Sequence, residues 1–222
     1  MRSALLLLAG ILLATAAAGC EDVGIAGPKK LKNQPVKERG WAPVEALPTG
    51  AGGWRGYSVL LPPNPVMGPG PGGGWYTAAL PDAFVGVVTL EAGVNAAAAS
   101  PDQQRKAVDR AIDAAATHLR LTQADLTRSD SNAGAAIGRL ATGSATREAR
   151  RPAAGEPAAV TAGEKADEER REGLSLTGAV RATLRGVVDG DRVHVQFALR
   201  TPTSAVDSAA VGEFLQSFEA KR

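Results

Sequence analysis

The spacing of apolar and polar positions changes several times along this chain, and each change marks an element. Gly56-Tyr57-Ser58-Val59-Leu60-Leu61 reads as a strand stopped by Pro62-Pro63, and residues 75–80 and 84–91 read as two more, divided by Pro81-Asp82. The period then changes at Ser100-Pro101-Asp102-Gln103, a capping box with proline at the first helical position. From there Val108, Ile112, Ala115 and Leu119 share one side of a helix, while Arg105, Lys106, Asp109, Arg110 and Asp113 fall elsewhere. This pattern predicts an amphipathic helix packed on a sheet. His118 falls near its carbonyl end, where a cation is favoured, so a capping or surface role is expected of it.

Residues 121–127 and 135–146 follow as further strands. Between 147 and 172, six Lys+Arg and seven Asp+Glu alternate with Ala, Gly and Pro and offer no apolar face, which predicts a mobile loop dispensable for folding. Residues 174–188 and 192–200 are β runs joined by Asp189-Gly190, a strong hairpin signal because a type I′ turn needs positive φ. Val193, Val195, Phe197 and Leu199 alternate with Arg192, His194, Gln196 and Ala198, giving one apolar and one largely polar face. Val211, Phe214, Leu215 and Phe218 place a helical stripe in 205–220 that must pack back on the sheet. The elements together predict one α+β domain over 54–222, an antiparallel sheet with packed helices.

What precedes that domain has a different character. After Arg2 an apolar run from Ala4 to Ala18, broken by Gly10 and Thr15, leads to Gly19-Cys20-Glu21-Asp22, the three parts of an export signal over residues 1–19. The run is shorter than the roughly 20 apolar residues a membrane span needs. Ala17-Ala18-Gly19-Cys20 resembles the lipobox of bacterial lipoproteins, which implies that Cys20 is lipidated and becomes the new N-terminus. It is the single Cys of the chain, which leaves no disulfide for the fold. Two or more fatty chains hold a protein firmly, so a membrane location on the exported side, inner or outer, is expected. Glu21 after Cys20 favours the outer membrane where one exists.

Residues 20–53 are rich in Pro, Gly and Lys without a period, and read as a flexible tether spanning on the order of 30 Å. Lys29, Lys30, Lys32, Lys37 and Arg39 stand there against Glu38 alone, a cluster that is either solvated or rests on anionic headgroups. Over the whole chain 25 Lys+Arg meet 23 Asp+Glu, which argues against a dedicated nucleic-acid binder. Aromatic residues make up only 4%, so the core is built from small aliphatics.

The order of strands, helix, further strands, DG hairpin and closing helix resembles the PsbP-like fold, which many bacterial lipoproteins share with a Ran-binding nuclear import factor. The matching pieces are Gly56-Tyr57-Ser58-Val59-Leu60-Leu61-Pro62, Val188-Asp189-Gly190-Asp191-Arg192-Val193 and Phe214-Leu215-Gln216-Ser217-Phe218. The resemblance implies an antiparallel sheet with helices packed against it. It carries no functional residue to this chain.

Chemistry is sparse. Gly68-Pro69-Gly70-Pro71-Gly72-Gly73 matches GxGxxG as a string, but two positions are Pro and a strand follows where a dinucleotide site needs a helix. With His118 and His194 as the only histidines, a multi-histidine metal site is out of reach, and no GxSxG elbow is present. No catalytic residue, cofactor or metal is therefore expected. If Asp189-Gly190 forms the turn, Arg185 pairs with His194, Thr183 with Gln196 and Val187 with Arg192. Arg181, Arg185, Arg192 and His194 then share a face that either contacts an acidic envelope partner or lies solvated or helix-covered, with the Arg stems across it. The expected function is a noncatalytic binding or assembly module. A carrier of a small apolar or lipidic ligand comes second, and a hydrolase third.

Overall fold

A computed structural model describes residues 36, 39–46, 56–68, 74–93, 95, 98–133, 136–150 and 161–221. The export signal, Cys20 and most of the proposed tether lie outside the described residues. The strands are β1 (Ala42–Ala46), β2 (Tyr57–Leu61), β3 (Val66–Gly68), β4 (Gly74–Leu80), β5 (Ala83–Glu91), β6 (Leu121–Ala133), β7 (Ala136–Arg147), β8 (Gly178–Asp189), β9 (Arg192–Arg200) and β10 (Glu219–Ala220). The helices are α1 (Pro101–His118), α2 (Ala162–Glu172) and α3 (Ser208–Gln216).

Seven strands form one antiparallel sheet in the order β3-β4-β5-β9-β8-β7-β6, and β1-β2-β10 form a second, smaller one. The fold class is α+β, as the periodicity predicts. Because side chains alternate along a strand, the large sheet has two faces, and both are covered. Phe84, Val88, Val195, Phe197 and Leu184 meet Val108, Ile112 and Ala115 of α1 in one core. Val85, Val87 and Ala198 meet Tyr57 and Val59 of β2 and Val211 and Phe214 of α3 in the other.

Helix α1 begins where its capping box places it. The Gln103 amide N–H donates to Ser100 Oγ at 3.3 Å, and the Ser100 amide N–H donates to Gln103 Oε1 at 2.8 Å. Val108 and Ile112 are fully buried on the sheet, each worth about 1.5–3 kcal/mol. They reach it because Gly186 is bare: a Cβ there would stand 2.5 Å from Val108 Cγ1.

Four expectations are corrected. The tether ends earlier than residue 53: β1 pairs with β2, and Val36 and Trp41 are buried, Trp41 lying edge-on to Phe214 at 6.1 Å. A five-residue strand containing Pro43 becomes legible only once its partner is known. The loop expected at 147–172 is strand at Arg147 and helix over Ala162–Glu172, and 151–160 lies outside the described residues. Helix α2 has its own capping box, with the Glu164 amide N–H on Thr161 Oγ1 at 3.1 Å and the Thr161 amide N–H on Glu164 Oε2 at 2.8 Å.

The hairpin turn is one residue later than predicted. Asp189 pairs with Arg192 and the turn is Gly190-Asp191, with Gly190 at φ 59°. The pairing therefore shifts by two residues, Arg185 opposing Gln196 and Val187 opposing His194, so the faces keep their composition. Finally, the closing helix is shorter than 205–220. Asp207 caps its start, its Oδ1 accepting the Ala210 amide N–H at 2.9 Å, and after Ser217 the chain becomes β10 beside β2.

Candidate functional site

The predicted basic face is brought together by the strands, and only part of it reaches the surface. Arg185 is 7% exposed and His194 0%; Arg181 is exposed and Arg192 half-buried. The reason is α3 with the small sheet, which cover this side. Arg185 donates through Nε to Ser131 Oγ at 2.9 Å and through Nη1 to Gln196 Oε1 at 3.3 Å and to the Leu215 carbonyl. Gln196 Nε2 donates to the Phe214 carbonyl at 3.0 Å, and Arg200 Nη1 to the Val206 carbonyl at 2.8 Å. The polar side chains of this face therefore satisfy the end of α3 and the loop before it, which hydrophobic packing alone would leave orphaned. Arg192 donates to Glu91 Oε1 at 3.1 Å and lies 3.6 Å from Asp191.

His194 sits in a closed aromatic setting. Its Nδ1 is 3.1 Å from Thr89 Oγ1, and its ring lies 5.0 Å from Tyr57 and 5.5 Å from Phe218. Asp189 Oδ2 is 3.6 Å from Nε2. Burial holds the imidazole below its ordinary pKa, against the pull of Asp189, and burial likewise pushes the Tyr57 phenol up.

On the opposite face a second polar junction gathers around Arg147, which is 2% exposed. Its Nε donates to the Leu119 carbonyl at 3.2 Å, its Nη1 to Leu176 O at 2.9 Å and to Gly173 O, and its Nη2 to Glu172 O. The guanidinium carbon lies 4.7 Å from the centre of the Phe84 ring. One cation thus binds the carbonyl ends of α1 and α2 together, where helix dipoles favour positive charge. Burial, with Arg120 nearby, brings the Arg147 pKa down to about 10.

Around this junction, Arg120 adopts φ 59° directly after α1, an arrangement that favours glycine. Its side chain donates to Glu148 O at 3.2 Å and to Glu172 Oε2 at 3.4 Å. Trp75, 3% exposed, packs edge-on to His118 at 4.5 Å. His118 therefore closes the end of α1 against an indole instead of facing solvent. Its pKa is lowered by burial, with the Glu172 carboxylate opposing.

The exposed side of α1 carries an ionic network with the β6–β7 hairpin. Arg139 binds Asp109 at 3.2 Å and Asp130 at 2.7 Å, and Arg128 binds Asp109 at 3.5 Å and also Asp113. A groove of about 420 Å³ runs here, lined by Gln103, Lys106, Asp109, Arg110 and Asp113. Among the described residues, no group of three or more His, Cys, Asp and Glu is placed to hold a metal ion, and no helix is long and apolar enough to cross a membrane.

No protein-family model and no curated protein sequence matches the chain. Among the solved structures it is similar to is a cyanobacterial one. The solution structure of cyanobacterial PsbP (CyanoP) from Synechocystis sp. PCC 6803 matches at 13% identity with a TM-score of 0.41, covering 81% of this chain and 93% of that one. At that level of similarity the match carries no function to this chain, whose own residues must carry it.

Of those residues, Arg147, Arg120, Trp75 and Glu172 escaped the reading of periodicity. Arg147 and Glu172 sit at the borders of a stretch whose composition reads as a loop. The available signal was Thr161-x-x-Glu164, the same capping motif that located α1.

Proposed function

We propose that the chain is an exported lipoprotein, held on a membrane through lipidated Cys20, whose folded domain is a noncatalytic binding or assembly module of the cell envelope. The observation that carries this is Ala17-Ala18-Gly19-Cys20 at the end of a short apolar run, with the chain's single thiol at the one position lipidation requires. A noncatalytic role is supported by the use of both histidines in packing, His118 against Trp75 and His194 against Thr89 and Tyr57. The partner is an envelope protein, and nucleic acid is not a partner of a chain so nearly neutral.

Replacing Cys20 with Ser and following detergent-phase partitioning tests the anchor: the variant should leave the detergent phase, and its retention there would place the anchor elsewhere. Crosslinking in intact cells, followed by identification of the captured protein, tests the binding role. Capture of the same protein by a chain ended at residue 35, ahead of the folded domain, would count against it.

A further inference from the structure

Three buried nitrogen atoms at α2 and the sheet beneath it have no hydrogen-bond partner: Trp75 Nε1, His118 Nε2 and Arg171 Nε. Buried polar atoms are nearly always paired, so a group of orphans in one place calls for an explanation. They are neighbours. The point a Cβ on Gly68 would occupy is 2.0 Å from Trp75 Nε1 and 3.1 Å from Arg171 Cδ, and the rings of Trp75 and His118 are 4.5 Å apart.

The helix above them is an unusual cover. Eight of the eleven residues in Ala162–Glu172 are charged, and none of its described side chains is buried. It is held by polar contacts: the Thr77 hydroxyl on Arg171 O at 3.1 Å, an Arg150–Glu168 ion pair, and Arg147 and Arg120 at its carbonyl end. Beneath it lies the Trp75 indole, while Phe84 is covered by Gly173 and by Arg147 past the helix end. The helix ends on Gly173 at φ 54°, where Phe84 fills the space a side chain would need. That end is fixed by Arg147, while the residues from Thr161 to Asp167 at the other end are exposed.

One carboxylate already enters this site. Glu172 rests at 3.4 Å on Arg120, two residues after the His118 whose ring packs on Trp75, while the Trp75 N–H receives no acceptor. We propose that the sheet surface under α2 binds an amphipathic monocarboxylate. Its chain lies on the Trp75 indole, and its carboxylate takes the place of Glu172 on Arg120 and accepts from the Trp75 N–H. Helix α2 is the roof, turning about Gly173 to admit the ligand. An apolar chain suits the indole face, and a single carboxylate matches the shape and charge of the group it displaces. The site is independent of how the chain is anchored.

The test is a titration of the full chain carrying Cys20→Ser with sodium decanoate below its micelle concentration, read by tryptophan emission and calorimetry, with decanol as the uncharged comparison. Wild type should show a saturable shift in emission that Trp75→Phe abolishes, Trp41 and Trp54 serving as the background. Loss of a hydrogen bond to a charged group should weaken binding about tenfold in Arg120→Gln. Glu172→Gln, which removes only the competing charge, should bind more tightly than wild type, and it decides the matter if Arg120→Gln loosens the fold. The proposal is overturned by an emission shift that survives in Trp75→Phe, by decanol binding as tightly as decanoate, or by no saturable binding in either wild type or Glu172→Gln.

Discussion

The two faces of the seven-stranded sheet solve the same problem differently. Each must bury a helix end whose last carbonyls have no partner within the helix. On the α1 side one side chain does this for two helices, since Arg147 gathers the carbonyls of Leu119, Glu172, Gly173 and Leu176. On the α3 side the work is divided. Gln196 and the Ser217 hydroxyl donate to Phe214 O at 3.0 and 2.7 Å, and Arg185 serves Leu215 O. Concentrated satisfaction makes a single residue indispensable, whereas shared satisfaction leaves neighbours to compensate.

The largest test of that contrast is Arg147→Met against Arg185→Met in chemical denaturation. A buried acceptor left unpaired costs about 1–3 kcal/mol, so Arg147→Met, which strands several, should lose about 3 kcal/mol or more and Arg185→Met about half of that. Equal losses would show that the two faces are not built differently.

Removal of residues 161–172 comes next in size. Because α2 covers Trp75 and supplies a carbonyl to Arg147, its deletion should lower stability by about 2 kcal/mol and expose the indole to quenching by iodide. An unchanged melt would restore the reading of this stretch as a dispensable loop. A smaller effect, about 1 kcal/mol, is expected from Thr161→Ala, which removes the cap of α2. Its reach should be confined to α2, so amide exchange should quicken there and stay unchanged in α3.

Helix α1, β4, β5 and β9 were recoverable because a capping box and a run of alternating or continuous apolar residues are local signals. Helix α2 was not, because its stability comes from a cap and from Arg147, Arg120 and Thr77, which lie between 25 and 94 residues from the α2 residues they bind, and not from an apolar stripe. The polar face of β9 was read correctly as polar, and whether it was open or helix-covered stayed undecided. His194, Gln196 and Arg200 look alike in sequence whether they meet water or a helix end, and only the position of α3 decides between them. For Arg181, Arg185, Arg192 and His194, chain periodicity gave the shared face and could not give what covers it.

The finest distinction between the faces concerns protons, since each holds one histidine. His194 lies wholly inside the α3 side and His118 half-buried on the α1 side, and burial lowers the pKa of both. In the unfolded chain an imidazole takes up its proton near its ordinary value of about 6.5. In the folded protein it does so at lower pH, so the unfolded state binds more protons in the interval between. Stability is therefore complete above the unfolded value and is lost as pH falls through the folded one. The melting temperature should decline from pH 7 toward pH 5. His194→Gln should flatten this decline more than His118→Gln, because the ring of His194 must be protonated among Tyr57, Phe218 and Thr89, with Asp189 at 3.6 Å favouring the charge and Arg192 opposing it. His118 has Glu172 acting on it and partial access to water, so its contribution to the slope should be the smaller. A decline equally steep in wild type and in both variants would assign the acid sensitivity to carboxylates, such as those paired with Arg128 and Arg139 on the outer side of α1, and would remove the histidines from the account.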